Sequence, residues 1–124
     1  MRLTKRAKSF LSRVVKIWAT AEKEGIPIVR DVWTNYEGGY CHAGVIGLKL
    51  GLRESQFFSD DLTEEFEKHG APKIIDCPAC NTTRSSFTSL CVHLNAEDHE
   101  GFKKFTFGEA AKLLNKKYKL GVRI

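Results

Sequence analysis

The chain has 124 residues, a net charge of +5 and a hydrophobic fraction of 42%. That is enough apolar residue for a real core and argues against a disordered chain. No apolar run approaches the length of a transmembrane helix, so a membrane partner is not expected.

The charge is unevenly spread. Residues 1–30 carry eight basic and two acidic side chains, a net of +6; residues 31–76 carry a net of −5; residues 77–124 carry a net of +4. Basic ends flanking an acidic middle suit an anionic partner or one with matching patches. The length predicts one domain, 1–124.

In chain order, Leu3, Ala7, Phe10, Leu11, Val14, Ile17, Trp18 and Ala21 recur at three- and four-residue steps. They predict a helix of about six turns, ended by Gly25 and Pro27. Its opening is acid-free and basic, a composition shared with mitochondrial presequences, but a structural helix is the expectation. Lys5, Arg6 and Lys8 lie in its first turns, where the helix dipole disfavours cations. With Arg13 they are candidate partner contacts.

Residues 28–36 read as a short strand or an irregular segment, followed by a turn at Glu37-Gly38-Gly39. Residues 41–52 read as a buried helix, with Gly44 and Gly47 permitting close approach of another element. Cys41 is expected to be a buried thiol. Ser59 or Asp60 is expected to cap a short acidic helix that stops at Gly70 and Pro72. Residues 73–76 read as a strand and residues 82–86 as a polar loop. Residues 87–94 read as a second strand, with Leu90, Val92 and Leu94 on one face and Cys91 and His93 on the other. Thr106-Phe107-Gly108-Glu109 is a capping box opening a last helix. Phe107, Ala110, Ala111, Leu114 and Tyr118 face inward there, and Lys112, Lys116 and Lys117 are left outside as further candidate contacts. Phe102, Phe105 and Phe107 are expected to face the core.

The chemistry centres on Cys77-Pro78-Ala79-Cys80. No secretory signal precedes these cysteines, and C-x2-C in a reducing, cytoplasmic setting points to metal. Cys77, Cys80 and Cys91 as thiolates, with His93 or His99 as fourth ligand, make a tetrahedral zinc set. His93 has the strand geometry in its favour; His99 has Asp98 or Glu100 beside it to orient the ring. Such a closed set fixes structure and leaves no position for a catalytic water. No P-loop, dinucleotide fingerprint, nucleophile elbow or HExxH pattern is present, so a non-enzymatic role is the expectation. The remaining catalytic reading is a metal-dependent hydrolase built on His93 and Asp98-His99.

Val92-His93-Leu94-Asn95, then an acid and His99, an aromatic/Thr pair, and Glu109-Ala110-Ala111 with Leu113-Leu114 resemble a recurring pattern. It is similar to the V-H-L-N-D…H…W-[ST]…I-A…L segment of small uncharacterised phage and prophage proteins, and the upstream Cys-Pro-x-Cys fits as well. The resemblance spans the last third to two fifths of the chain. It departs at Ala96, at Glu97-Asp98 and across residues 101–105. It implies a phage or mobile-element origin and brings no activity with it.

The sequence therefore predicts an α+β fold: a long N-terminal helix, a small antiparallel sheet carrying a zinc knuckle, and a C-terminal helix. The expected function is that of a phage-type accessory protein in the host cytoplasm, bound to a host protein or nucleoprotein assembly. Direct nucleic-acid binding and a structural place in the virion are the alternatives.

Overall fold

A computed structural model describes residues 3–99 and 104–124. It is an α+β fold of five helices and one two-stranded antiparallel sheet.

Helix α1 (Lys5–Glu24) opens on Thr4, whose hydroxyl accepts from the Ala7 amide, and closes at Gly25 with a left-handed φ of 70°. Its apolar stripe, from Ala7 to Ala21, is buried. Residues 28–40 form the irregular alternative, held by isolated bridges from Tyr40 to Ile28 and Thr34. Helix α2 (His42–Lys49) is almost wholly buried. Gly44 is obligatory there: a Cβ would lie 2.1 Å from the Trp33 carbonyl oxygen. Helix α3 (Ser59–Lys68) has Phe58 at its cap position with no side-chain cap bond. The expected caps, Ser59 and Asp60, sit inside the first turn instead. Strands β1 (Ile75–Asp76) and β2 (Thr83–Arg84) pair in the register Ile75–Arg84 and Asp76–Thr83. Helix α5 (Phe107–Lys117) begins with the expected capping box, Thr106 and Glu109 bonding reciprocally.

The expected strand over residues 87–94 is a helix, α4 (Phe87–Ala96). Phe87, Leu90, Cys91 and Leu94, at positions i, i+3, i+4 and i+7, are its buried stripe. Ser86 caps it through the Ser89 amide. Val92, which the strand reading placed beside Leu90 and Leu94, is 44% exposed.

Two aromatic groups join the helices. Phe10 of α1, Phe66 of α3 and Phe87 of α4 meet with ring centroids 5.1–6.2 Å apart. Trp18 of α1 and Phe107 of α5 pack edgewise on His42 of α2, at 5.4 and 5.2 Å. Phe105 and Phe107 are fully buried; Phe102 lies outside the described residues. Burying each such ring contributes about 1.5–3 kcal/mol.

A buried polar knot links α4 to the rest. Asn95 donates to the Val29 carbonyl and to His42 Nδ1, and accepts from the Asp31 amide. Arg30 donates to the carbonyls of Asn95 at 2.7 Å and Phe105 at 2.9 Å. The end of α4 is thereby fixed against both the α2 entry and the approach to α5.

Candidate metal centre

The hairpin presents the two cysteines. Pro78 starts a turn that Asn81 completes at a left-handed φ of 62°. The Cys77 amide donates to the Thr82 carbonyl at 2.8 Å, and the Asn81 amide returns to the Cys77 carbonyl at 2.9 Å. This short closure puts Cys77 at the buried root of the turn and Cys80 at its exposed rim. Lys117 of α5 braces the turn by donating to Asn81 Oδ1.

Helix α4 presents His93 one turn before its end, and His99 follows just beyond the helix. One ligand atom each from Cys77, Cys80, His93 and His99 lies within 4.8 Å of all the others. Cys80 Sγ is 3.3 Å from His93 Nε2, and Cys77 Sγ is 3.6 Å from His99 Nε2. The two Nε2 atoms are 2.9 Å apart.

Glu97 sets both rings. Its carboxylate pairs with His93 Nδ1, and its carbonyl oxygen is 3.1 Å from His99 Nδ1. Each Nδ1 therefore carries its proton outward, and each Nε2 turns an acceptor lone pair toward the sulfurs. Buried Phe105 packs against the His99 ring, with centroids 4.9 Å apart. A carboxylate behind a ligating histidine is the usual outer partner of a metal site.

The sulfurs differ. Burial pushes the Cys77 thiol up. Burial also works against the charged form of Cys80, but the hydrogen bonds it receives, those from the Thr82 hydroxyl and backbone first, outweigh it and bring that thiol down to about 6. Arg84 of β2 adds a guanidinium, its Nη2 donating to Thr82 Oγ1 at 3.0 Å and lying 3.5 Å from His93 Nε2. Two imidazoles, one accessible low-pKa thiol and one buried thiol make a donor set that fits a metal ion.

Cys91 is not part of this set, which corrects the expected three-thiolate site. It is 0% exposed within the apolar core, where burial and the neighbouring Cys41 push its thiol up. The reason is the helix. Residues two apart on a strand share a face, whereas on a helix they point nearly opposite ways, so His93 faces the knuckle and Cys91 the core. The fourth place is filled by having both histidines.

The sequence carried the signal for this arrangement. Two residues separate the cysteines, twelve separate Cys80 from His93, and five separate the histidines. That is the spacing of Cys2His2 fingers, and the order hairpin, helix is their ββα order. Asp98, the expected orienting group for His99, pairs with Lys104 at 3.5 Å instead, and Glu100 lies outside the described residues.

The candidate partner residues divide. Lys5, Lys8 and Arg13 are exposed on α1, and Lys112 and Lys116 on α5. Arg6 is engaged in the fold, donating from Nη2 to the Lys68 carbonyl at the end of α3, and Lys117 is engaged at the knuckle. Compared with protein-family models, with curated proteins and with solved structures, the chain matches none. Among the described residues no helix is long and apolar enough to cross a membrane.

Proposed function

We propose that this chain is a zinc-fastened, non-enzymatic accessory protein of phage type that binds a host macromolecule, a protein or nucleoprotein assembly. The observation that carries the metal half of this reading is the convergence of two sulfurs and two Nε2 lone pairs in one 4.8 Å cluster. Two facing lone pairs 2.9 Å apart repel unless a proton or a metal ion lies between them, and the two sulfurs alongside suit the metal. Zinc suits the set in number and softness. A tetrahedral zinc with bonds of about 2.3 Å to sulfur and 2.0 Å to nitrogen spaces its unlike ligand atoms about 3.5 Å apart. Two of the four sulfur–nitrogen separations, Cys80–His93 at 3.3 Å and Cys77–His99 at 3.6 Å, agree with that.

A four-ligand set leaves no open position for water. That favours fastening over hydrolysis, as does Asp98, which turns to Lys104 and away from the cluster. The metal joins the hairpin to the end of α4, and α4 is locked into the core through Asn95. Its work is to hold a surface in shape. The phage-type origin rests on the segment around Val92-His93-Leu94-Asn95, and the binding role on the basic ends of the chain.

The test is a pull-down from host lysate with metal-loaded protein, with and without nuclease. The reading expects a retained macromolecule whose capture is lost when chelator removes the metal. A metal-free protein with unchanged melting refutes the fastening role, and hydrolytic activity lost on His99→Ala with the fold intact refutes the non-enzymatic one.

A further inference from the structure

Helix α1 buries one face and offers most of the other to solvent, Ala19 being the buried residue on that side. On a helical wheel, Lys5, Lys16 and Lys23 fall on one line, with Lys8 and Arg13 to either side and Ser9, Ser12 and Thr20 between them. The line is about 27 Å long by the helical rise. All five cations are exposed, and among the described residues none has an ion-pair partner. Of the two acids that flank the stripe, Glu24 is neutralised by Lys49 of α2 at 2.9 Å and Glu22 accepts from the Gly108 amide. Lys49 also closes a shallow dish with Arg13, Lys16, Ile17 and Thr20. Lys5 and Lys8 stand in the first turns, against the helix dipole, and α1 has no acid there to offset them. Lys23, in the last turn, is favoured by the same dipole; nothing within the fold rewards the charges of Lys5 and Lys8.

We propose that this stripe binds the phosphate backbone of a double-stranded nucleic acid, without reading its sequence. The proposal rests on the binding role given above and names its partner. A protein partner would need an apolar or aromatic centre to the interface, and a membrane surface would need an apolar face free to insert. Neither exists on α1: among the described residues the exposed large apolar ones are Val32, Tyr36, Phe58, Ile74, Val92 and Ile124, none of them on α1, and the apolar face of α1 lies in the core. Single strands are held by stacking on aromatic side chains, which this face also lacks. A straight, rigid row of cations matches the rigid row of phosphates on a duplex.

The finger does not supply base readout. Helices α2 and α3 pack on α4, and Thr88 is buried with its hydroxyl bonded to Thr63 of α3 at 2.8 Å. The positions of a finger helix that reach base edges fall on Ser86, Ser89 and Val92. Ser86 is occupied as the helix cap, and Val92 has no polar group. None carries the forked donors or acceptors that pair two-to-one with a base.

The experiment measures binding of the metal-loaded chain to short DNA duplexes of two unrelated sequences as salt is raised, beside the triple variant Lys5→Gln, Arg13→Gln, Lys16→Gln. Five phosphate contacts predict a log–log salt slope of about −4.5, an affinity loss of about 500-fold between 50 and 200 mM salt. The two sequences bind alike. The triple variant keeps its metal and its melting temperature, and its slope flattens to about −2. Absence of duplex binding at low salt, a slope unchanged in the variant, or equal affinity for phosphatidylserine vesicles or polyglutamate overturns the proposal. These outcomes are separate from the metal reading, because a metal-loaded, cooperatively melting protein that ignores duplexes refutes the stripe alone.

Discussion

His93 and His99 bring their Nε2 atoms to 2.9 Å of one another, with a cysteine sulfur beside each. Neither ring is there by chance of rotation, because both Nδ1 atoms are held from behind by the same residue, Glu97.

The ligand set is separable from the buried thiol beside it by mutation. His93→Ala or His99→Ala is expected to abolish stoichiometric metal binding. Cys91→Ala is expected to keep one metal per chain and to cost about 1–2 kcal/mol of stability through a small cavity. Metal analysis and urea unfolding on the three variants check this. Loss of metal in Cys91→Ala with the fold intact would restore the three-thiolate site.

Glu97→Gln is expected to weaken metal binding by about 10–100-fold, because the charge behind His93 is lost while the backbone carbonyl behind His99 stays. Chelator competition measures it. An unchanged affinity would reduce Glu97 to a solvated surface carboxylate.

The two cysteines of the knuckle, the last helix with its capping box, and the long amphipathic α1 were all legible in the sequence, because each signal is local. Helix α4 was not. Leu90, Val92 and Leu94 alternate as a strand would, while Phe87, Leu90, Cys91 and Leu94 step as a helix does, and a short apolar run satisfies both periods. What decides is burial by α2 and α3, which is a tertiary fact, although the Ser86 cap and the twelve-residue interval before His93 pointed to the helix. That one period carried Cys91 into the site and left one histidine out. The Asn95–His42–Arg30 knot joins residues more than fifty apart in sequence, and no local pattern announces it. The place of Lys16 and Lys23 in the stripe is set by packing, because only the buried face of α1 fixes which side is left to solvent.

Burial depresses His42 to about 3, below the 6.5 of an unfolded histidine. The folded protein therefore holds this ring neutral where the unfolded chain takes up a proton. Its contribution to stability is full above pH 6.5 and falls as pH drops from 6.5 toward 3, by about 4–5 kcal/mol across that window. The pH-dependence of urea stability in the native chain minus that in His42→Gln isolates this effect, since the metal's own pH-dependence is common to both. The difference is expected to shrink with acid. NMR should show the His42 ring neutral, protonated on Nε2 toward the Thr106 carbonyl, at pH 5.

Gly44→Ala places a methyl group 2.1 Å from the Trp33 carbonyl oxygen, so α2 or the Trp33 segment must move. The expected cost is about 1–3 kcal/mol, read as a lowered melting temperature with metal content unchanged. An unshifted melting temperature would show that the close approach of α2 to Trp33 is not a constraint.

A metal ion is expected to fasten the hairpin to α4 through Cys77, Cys80, His93 and His99. The most direct measurement is elemental analysis of protein purified under reducing conditions, coupled to the absorption spectrum after replacement by cobalt. One zinc per chain and a tetrahedral two-sulfur, two-nitrogen cobalt spectrum are expected, with loss of cooperative melting on chelation. A metal-free protein that melts identically with and without chelator would contradict it.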